Sequence, residues 1–282
     1  DVDILISIDK KLSIKKLLDF GKYLKEKKYK IIFDFHNSLR SNILLYNYPG
    51  KVRQIKKPRW NRFLLFYFHL NKFPKNFSAI KMYHDIINSS LNDDNDHYPL
   101  TNLKISNTER KNARSLLIKK GIVGDFTIVI PGAAWSQKQW NATKYLATLK
   151  KLNTPIVLLG TKKDQICFEI ANNLANSLNL AGKTSLREAL SVISNATNII
   201  GSDTGLTHAA EALSLPVSMI LGPTSSETGG GVTLPNSVNI QKDHWCRPCS
   251  QNGKFPCYRK VQVCLDSIEP DDILKTIRKG ER

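Results

Sequence analysis

The chain has 282 residues, 41% of them hydrophobic and 23% charged, with a formal net charge of +18. It is long enough for two domains with buried cores, and it has no apolar run near the roughly 20 residues of a membrane-spanning helix and no basic-then-apolar opening of a signal peptide. The charge is uneven, with 25 Lys and Arg against 11 Asp and Glu in residues 1–120 and 17 against 13 in 121–282; a field of that size suits an anionic partner such as nucleic acid, an anionic membrane surface or a phosphorylated glycolipid, and solvated lysine-rich helix faces are the simpler source.

Residues 4–8 (Ile-Leu-Ile-Ser-Ile) read as a strand, 13–28 as a basic amphipathic helix, 30–35 as a second strand and 37–46 as a helix. Residues 60–73 are unusually aromatic and are flanked by Lys56, Lys57, Arg59, Arg62 and Lys72, a pattern that fits either a lipid interface or a buried core helix. Residues 92–96 (Asn-Asp-Asp-Asn-Asp) read as a polar loop, and 107–120 as a helix stopped by Gly121. The domain boundary is expected between 98 and 121, giving domains 1–115 and 116–282. The second half alternates more clearly: strand 126–130, helix 141–152, strand 155–160, helix 164–178, helix 185–194, strand 197–201, helix 206–213 and strand 216–221. Short β-branched runs joined by amphipathic segments predict an α/β fold with parallel, doubly wound sheets.

Three loops follow strands of this second half. Residues 131–140 hold Gly132, Ala133 and Ala134, which let backbone approach a ligand, and Lys138, a cation ahead of a helix start that suits a diphosphate. Residues 160–164 pair a strand-end glycine with Asp164, an acid placed to accept hydrogen bonds from ribose hydroxyls, as acids do in dinucleotide folds. Residues 201–210 lead into a helix whose first N–H groups, at Thr204, Gly205 and Leu206, can hold an anion, with His208 one turn in and Asp203 ready to hold sugar hydroxyls. Each loop alone is weak, since Lys138 reads equally as a solvated surface charge and His208 as a structural histidine. Cys246, Cys249, Cys257 and Cys264 cluster in sequence, but only the first two form a short couple; a zinc site is allowed, and a reduced loop is the default.

The run GSDTGLTHAAEALSLP at 201–216, followed by LGPT at 221–224, resembles the signature of the ADP-heptose lipopolysaccharide heptosyltransferases, glycosyltransferase family 9. Pro131-Gly132 with Lys138 and Trp140 is similar to the family's phosphate-binding loop, DFHNSLRS at 34–41 to its first-domain motif, and the cysteine segment to a region of its second-heptose branch; the resemblance spans about 30–275. It implies a GT-B fold, two Rossmann-like domains facing across a cleft, with acceptor on the first and nucleotide sugar on the second. The implied reaction is inverting, metal-independent transfer of heptose from ADP-heptose to the inner core of lipopolysaccharide, with no cofactor and no metal ligand. Carried over, Lys138 contacts phosphate, Asp164 the ribose, Asp203 the heptose, and Thr204, Gly205, Leu206 and His208 the diphosphate, with Gly132 and Ala133 approaching by backbone; Asp34, Arg40 and Ser41 face the acceptor. Lys138 and Asp203 are the expected catalytic residues.

Two departures stand out. Ala133 and Ala134 replace hydroxyl residues of some members, and the strand and Gly-Asp loop that supply the family's general base have no counterpart before Asp1, so the base is expected upstream, with Asp34 a weak candidate. The expected setting is cytoplasmic, with peripheral contact at the inner membrane surface. Other readings are a related transferase using another nucleotide sugar, a catalytically incomplete nucleotide-binding fragment, and, remotely, a basic nucleic-acid-binding protein; no nucleic-acid-binding motif is present, so no nucleic-acid partner is expected.

Overall fold

The structure, a computed structural model, describes residues 2–9, 11–75, 77–88 and 98–277. The acidic loop read at 92–96 lies outside them. The chain forms two compact units, Asp1–Arg59 with Ser78–Tyr98, and Trp60–Phe77 with Pro99–Arg282.

In the first unit, α1 (Ile14–Glu26) begins where the Ser13 side chain accepts the Lys16 N–H. It packs on α2 (Leu39–Leu44), and Gly21 makes the approach possible: a Cβ there would lie 2.4 Å from the Leu44 carbonyl oxygen. Strands β1 (Ile31–Asp34) and β2 (Lys51–Gln54) run parallel, with Asp34 level with Gln54. The chain then leaves through α3 (Arg59–Phe68) and returns as α4 (Ala79–Asn88). The strand expected at 4–8 does not form. Among the described residues β1 and β2 make a two-stranded sheet without it, and Leu5 is 91% exposed, so the apolar run has no ladder to join.

The second unit carries α5 (Asn107–Lys119), opened by a Ser106–Glu109 capping box and followed by Gly121 at φ +84. This helix lies wholly in the second unit, with which the Trp60–Phe77 segment that holds most of α3 also groups. There follow β3 (Thr127–Ile130), α6 (Ala142–Leu149), β4 (Ile156–Leu158), α7 (Gln165–Asn172), β5 (Ser177–Asn179), α8 (Leu186–Ile193), β6 (Asn198–Ser202), α9 (Gly205–Ala212), β7 (Val217–Ile220), β8 (Val238–Ile240), α10 (Val263–Asp266) and α11 (Pro270–Ile277). The helix read at 164–178 stops at Asn172, because 177–179 instead pair in register with β4.

All six strands β3–β8 are parallel, in the order β5-β4-β3-β6-β7-β8. This is the doubly wound arrangement. Alternate residues of β3 enter opposite cores: Ile128 and Ile130 pack with Leu117, Ala189 and Ala210, whereas Val129 packs with Tyr145, Ile170 and Ile273. Both faces are therefore covered, which is why the strands read as unbroken apolar runs. Trp140 sits in the second core, 1% exposed, edge-on to Tyr145 and donating its Nε1–H to the Ile268 carbonyl at 3.2 Å. Trp140→Ala is expected to lower unfolding free energy by about 4 kcal/mol in urea titrations, since it opens a large cavity in the core, while the Ile268 carbonyl keeps its second donor, Lys144 Nζ; a loss under about 1 kcal/mol would mean that the ring is not a core element.

Candidate active site

Strand order reverses between β3 and β6, and at such a switch point the loops leaving the carboxyl ends of the strands diverge and open a crevice. A hollow of about 470 Å³ lies there, lined by Gly132, Ala133, Ala134, Ser136 and Gln139 after β3, Gly160, Thr161, Lys163 and Asp164 after β4, and Thr204, Gly205 and Leu206 after β6. The three loops singled out in the sequence thus meet at one place.

Glycines keep this hollow tight. The Asp164 carboxylate is wedged between two strand ends, so a Cβ on Gly132 would fall 2.4 Å from its Oδ1 and one on Gly160 2.9 Å from its Oδ2. Its Oδ2 accepts the Thr161 N–H at 2.6 Å and the Thr161 hydroxyl at 2.8 Å. Asp164 precedes α7 but gives that helix no side-chain cap, and Thr204, whose hydroxyl pairs with Thr207, gives none to α9. Helices α1, α2, α5, α6 and α8, by contrast, are capped by Ser13, Ser38, Ser106, Asn141 and Ser185. The two helices that open on the hollow present their amino-terminal N–H groups and positive dipole ends without a competing acceptor of their own.

Beside the hollow stands an ion cluster centred on Asp203, which is buried at the exit of β6. Its Oδ2 is 2.8 Å from Lys138 Nζ and accepts the Thr224 hydroxyl at 2.9 Å, while Oδ1 is 3.0 Å from His208 Nε2. Burial works to raise the Asp203 pKa; the His208 hydrogen bond and the Lys138 charge outweigh it and hold the carboxyl well below the usual carboxylate range. Lys138 is consequently no free surface cation: its side chain is 14% exposed. Of the expected site residues, Gly132, Ala133, Asp164, Thr204, Gly205 and Leu206 line the hollow. Lys138, Asp203 and His208 form the adjoining cluster.

Three features escaped the sequence reading. Thr224, at the end of the LGPT run, is a direct partner of Asp203. Glu211, buried in α9, accepts the Thr233 and Leu234 N–H groups and so fixes the loop after β7. The cysteine segment backs the ion cluster: Arg247 donates to the carbonyls of Gly222 and Thr224, Gln262 to that of Gln137, and Gly253, at φ +74, leaves room for the Lys138 stem, since a Cβ there would lie 2.6 Å from Lys138 Cγ. Cys246, Cys249, Cys257 and Cys264 are free thiols around one small hollow, and burial pushes Cys249 up to about 11. Among the described residues no group of three or more His, Cys, Asp or Glu side chains is placed to hold a metal ion.

In the first unit, Asp34 is buried at the end of β1 and spends its oxygens on the loop: Oδ1 accepts the N–H groups of His36 and Asn37 at 2.9 and 2.8 Å, Oδ2 the Gln54 amide at 3.1 Å. Burial raises its pKa, and hydrogen bonds from Asn37, Ser41, His36 and Gln54 more than reverse this, leaving a weak base. Ser41 completes the capping box with Ser38, and Arg40 reaches the Asp9 carbonyl at 2.8 Å.

Residues 17–258 match the family model described as glycosyltransferase family 9 (heptosyltransferase). Lipooligosaccharide heptosyltransferase 2 of Haemophilus influenzae (strain ATCC 51907 / DSM 11121 / KW20 / Rd) is 35% identical over 123 residues, 40% of this chain and 34% of that enzyme. Lipooligosaccharide heptosyltransferase 2 of Campylobacter jejuni subsp. jejuni serotype O:6 (strain 81116 / NCTC 11828) is 24% identical over 264 residues, 89% of this chain and 76% of that enzyme. In the first match the chain spans about a third of its relative's length. The solved structure of Escherichia coli ADP-heptose LPS heptosyltransferase II has a TM-score of 0.67 at 21% identity, covering 95% of this chain and 81% of that one. Likeness at that identity shows a shared fold, α/β of the GT-B type.

The Asp203 cluster makes a pH-dependent contribution to stability. A carboxyl whose folded pKa is depressed stabilises the protein above its unfolded pKa, about 3.9, and the contribution is lost as pH falls toward the folded value. Asp203→Asn is therefore expected to cost about 3 kcal/mol at pH 7, leaving Lys138 buried without its counter-charge, and the difference from wild type is expected to shrink below about pH 4. Urea unfolding at pH 7 and pH 3.5 checks this, and a gap that stays constant or widens on acidification contradicts it.

Proposed function

The chain belongs to glycosyltransferase family 9, the heptosyltransferase family, and from that premise we propose that it transfers heptose from ADP-heptose to the inner core of lipopolysaccharide, with inversion and without a metal ion. The observation that carries this reading is the meeting of three strand-end loops in one hollow at the switch point of the second unit. Its volume falls within the range of small-molecule sites, about 300 to 1,000 Å³.

The diphosphate sits on the amino terminus of α9, where the N–H groups of Thr204, Gly205 and Leu206 converge without a side-chain cap. Asp164 accepts from the ribose. Lys138 and His208, both already oriented by Asp203, turn donors toward the diphosphate oxygens as charge builds on the departing ADP, and Asp203 takes hydroxyls of the heptose. Fixed cations and backbone donors aimed at developing negative charge need no reorganisation during the reaction, and removal of one such donor costs about 3 to 4 kcal/mol of barrier stabilisation. Gly132 and Ala133 admit the nucleotide by backbone contact, because alanine offers no hydroxyl. In the first unit, Asp34, Arg40 and Ser41 shape the acceptor side.

The acceptor is lipid-linked and anionic, and α3 fits peripheral contact with an anionic membrane face. Trp60, Phe63 and Tyr67 stack on one another along the helix, with Trp60 67% and Tyr67 70% exposed, and the exposed cation Lys72 follows in the same segment of the chain. No helix of the described residues is long and apolar enough to cross a membrane. Cosedimentation with vesicles is expected to rise with phosphatidylglycerol content and to fall several-fold in Trp60→Ser/Tyr67→Ser; equal binding to neutral vesicles, or no effect of the substitutions, contradicts membrane docking through α3.

Calorimetric titration with ADP and ADP-heptose tests the donor site. A Cβ on Gly205 meets nothing within 4 Å, so Gly205→Ala is expected to fold as stably as wild type while its methyl group intrudes on the diphosphate and weakens ADP binding at least tenfold. Lys138→Ala is expected to lose a charge-assisted contact worth about 2 kcal/mol, roughly thirtyfold in affinity. Equal affinity in all three proteins would sink the assignment.

A further inference from the structure

The turn that follows β7, Gly222-Pro223-Thr224, is held at each of its carbonyls by one short stretch of the cysteine segment. Arg247 donates from Nε to the Gly222 oxygen at 2.6 Å and from Nη2 to the Thr224 oxygen at 2.8 Å, while the N–H groups of Cys249 and Ser250 both reach the Pro223 oxygen, at 3.1 and 3.2 Å. The guanidinium is itself fixed by Gln241, whose Oε1 accepts from Nη2 at 2.6 Å. Pro223 sets one backbone angle of the turn and the β-branched Thr224 has a stiff χ1, so clamping the backbone also sets the direction of the Thr224 hydroxyl.

That hydroxyl decides what Asp203 has left to offer. An ionised carboxylate has about four acceptor sites, two on each oxygen, and no donor. Oδ2 receives Thr224 Oγ1 at 2.9 Å and Lys138 Nζ at 2.8 Å, which fills it; among the described residues Oδ1 receives one donor, His208 Nε2, at 3.0 Å. One acceptor site therefore stays open, on Oδ1, beside a histidine whose side chain is 41% exposed. The terminal torsion of an aspartate is soft. Without the Thr224 donor the carboxylate is free to turn toward Lys138, and the open site loses its fixed place.

We propose that Arg247 and Thr224 are positioning residues that make Asp203 selective for the sugar half of the nucleotide sugar: Arg247 sets the 222–224 turn, Thr224 occupies Oδ2, and Asp203 is left to accept one hydroxyl hydrogen through Oδ1. The proposal rests on the reading of the hollow as a nucleotide-sugar site, and it gives that site a single directional contact from Asp203 to the sugar.

Calorimetric titration of the 282-residue protein with ADP and with ADP-heptose tests this, because the two ligands differ by the sugar. Thr224→Val keeps the branched shape and removes the donor; it is expected to weaken ADP-heptose binding about tenfold, the loss of one charge-assisted contact, and ADP binding less than about threefold. Thr224→Ser retains the hydroxyl and is expected to keep the wild-type preference for the sugar, whereas a role in packing alone would rank the two variants the other way and overturn the proposal. Arg247→Met is expected to reproduce the loss seen in Thr224→Val and to add less than about twofold in that background, since both act through the same oxygen. Should Arg247→Met fail to fold, the pair of Thr224 variants decides by itself. Unchanged sugar preference in Thr224→Val, or an Arg247→Met effect undiminished in the Thr224→Val background, overturns the proposal and leaves the transferase reading standing, because ADP still binds. Wild-type protein that binds neither ADP nor ADP-heptose sinks the transferase reading and the sugar contact with it.

Discussion

A carboxylate at the end of a buried strand cannot stand alone. Removing it from water costs several kcal/mol unless charges and donors surround it, and Asp203 is held in that position at the exit of β6. Its partners come from three different segments: Lys138 from the loop after β3, His208 from the first turns of α9 and Thr224 from the loop after β7. Satisfying one buried charge therefore fixes three loops relative to one another. The same cluster sets Lys138 and His208 beside the amino terminus of α9, so the requirement that stabilises the fold also orders the rim of the hollow.

The rest of the second unit supports this arrangement. The strand order supplies the gap, Gly132 and Gly160 allow Asp164 to sit between strand ends, and the cysteine segment buttresses the Lys138 stem and the 222–224 turn. Burial keeps the Cys249 thiol protonated at neutral pH. The role visible for the segment is mechanical: it supplies the Arg247 and Gln262 anchors and the open backbone at Gly253.

Much of this was legible in the residues. Strands β3, β6 and β7 are buried on both faces, so their β-branched runs announce themselves, and glycines at strand ends followed by helix starts mark the loops that reach the hollow. The short strands β5 and β8 gave no such signal, because Ser177, Asn179 and Asn239 break the apolar pattern and pairing with a neighbour decides their state. The run at 4–8 errs the other way, with the right pattern and no ladder to join. Long-range partners were harder still: Lys138 reads as a surface charge until Asp203, 65 positions later, is brought to 2.8 Å, and no local spacing announces Thr224 as a third partner. In the first unit the motif at 34–41 was visible as a motif, but that its polar atoms would be spent on its own loop follows only from the hydrogen bonds.

The central claim is that the amino terminus of α9 and the glycine loop after β3 together form an anion cradle. Amide chemical shifts during an ADP titration of isotopically labelled protein report on it directly. The largest changes should fall at Thr204, Gly205 and Leu206, with a second group at Gly132 and Ala133; saturable binding that leaves those five amides unmoved while others shift would contradict the account.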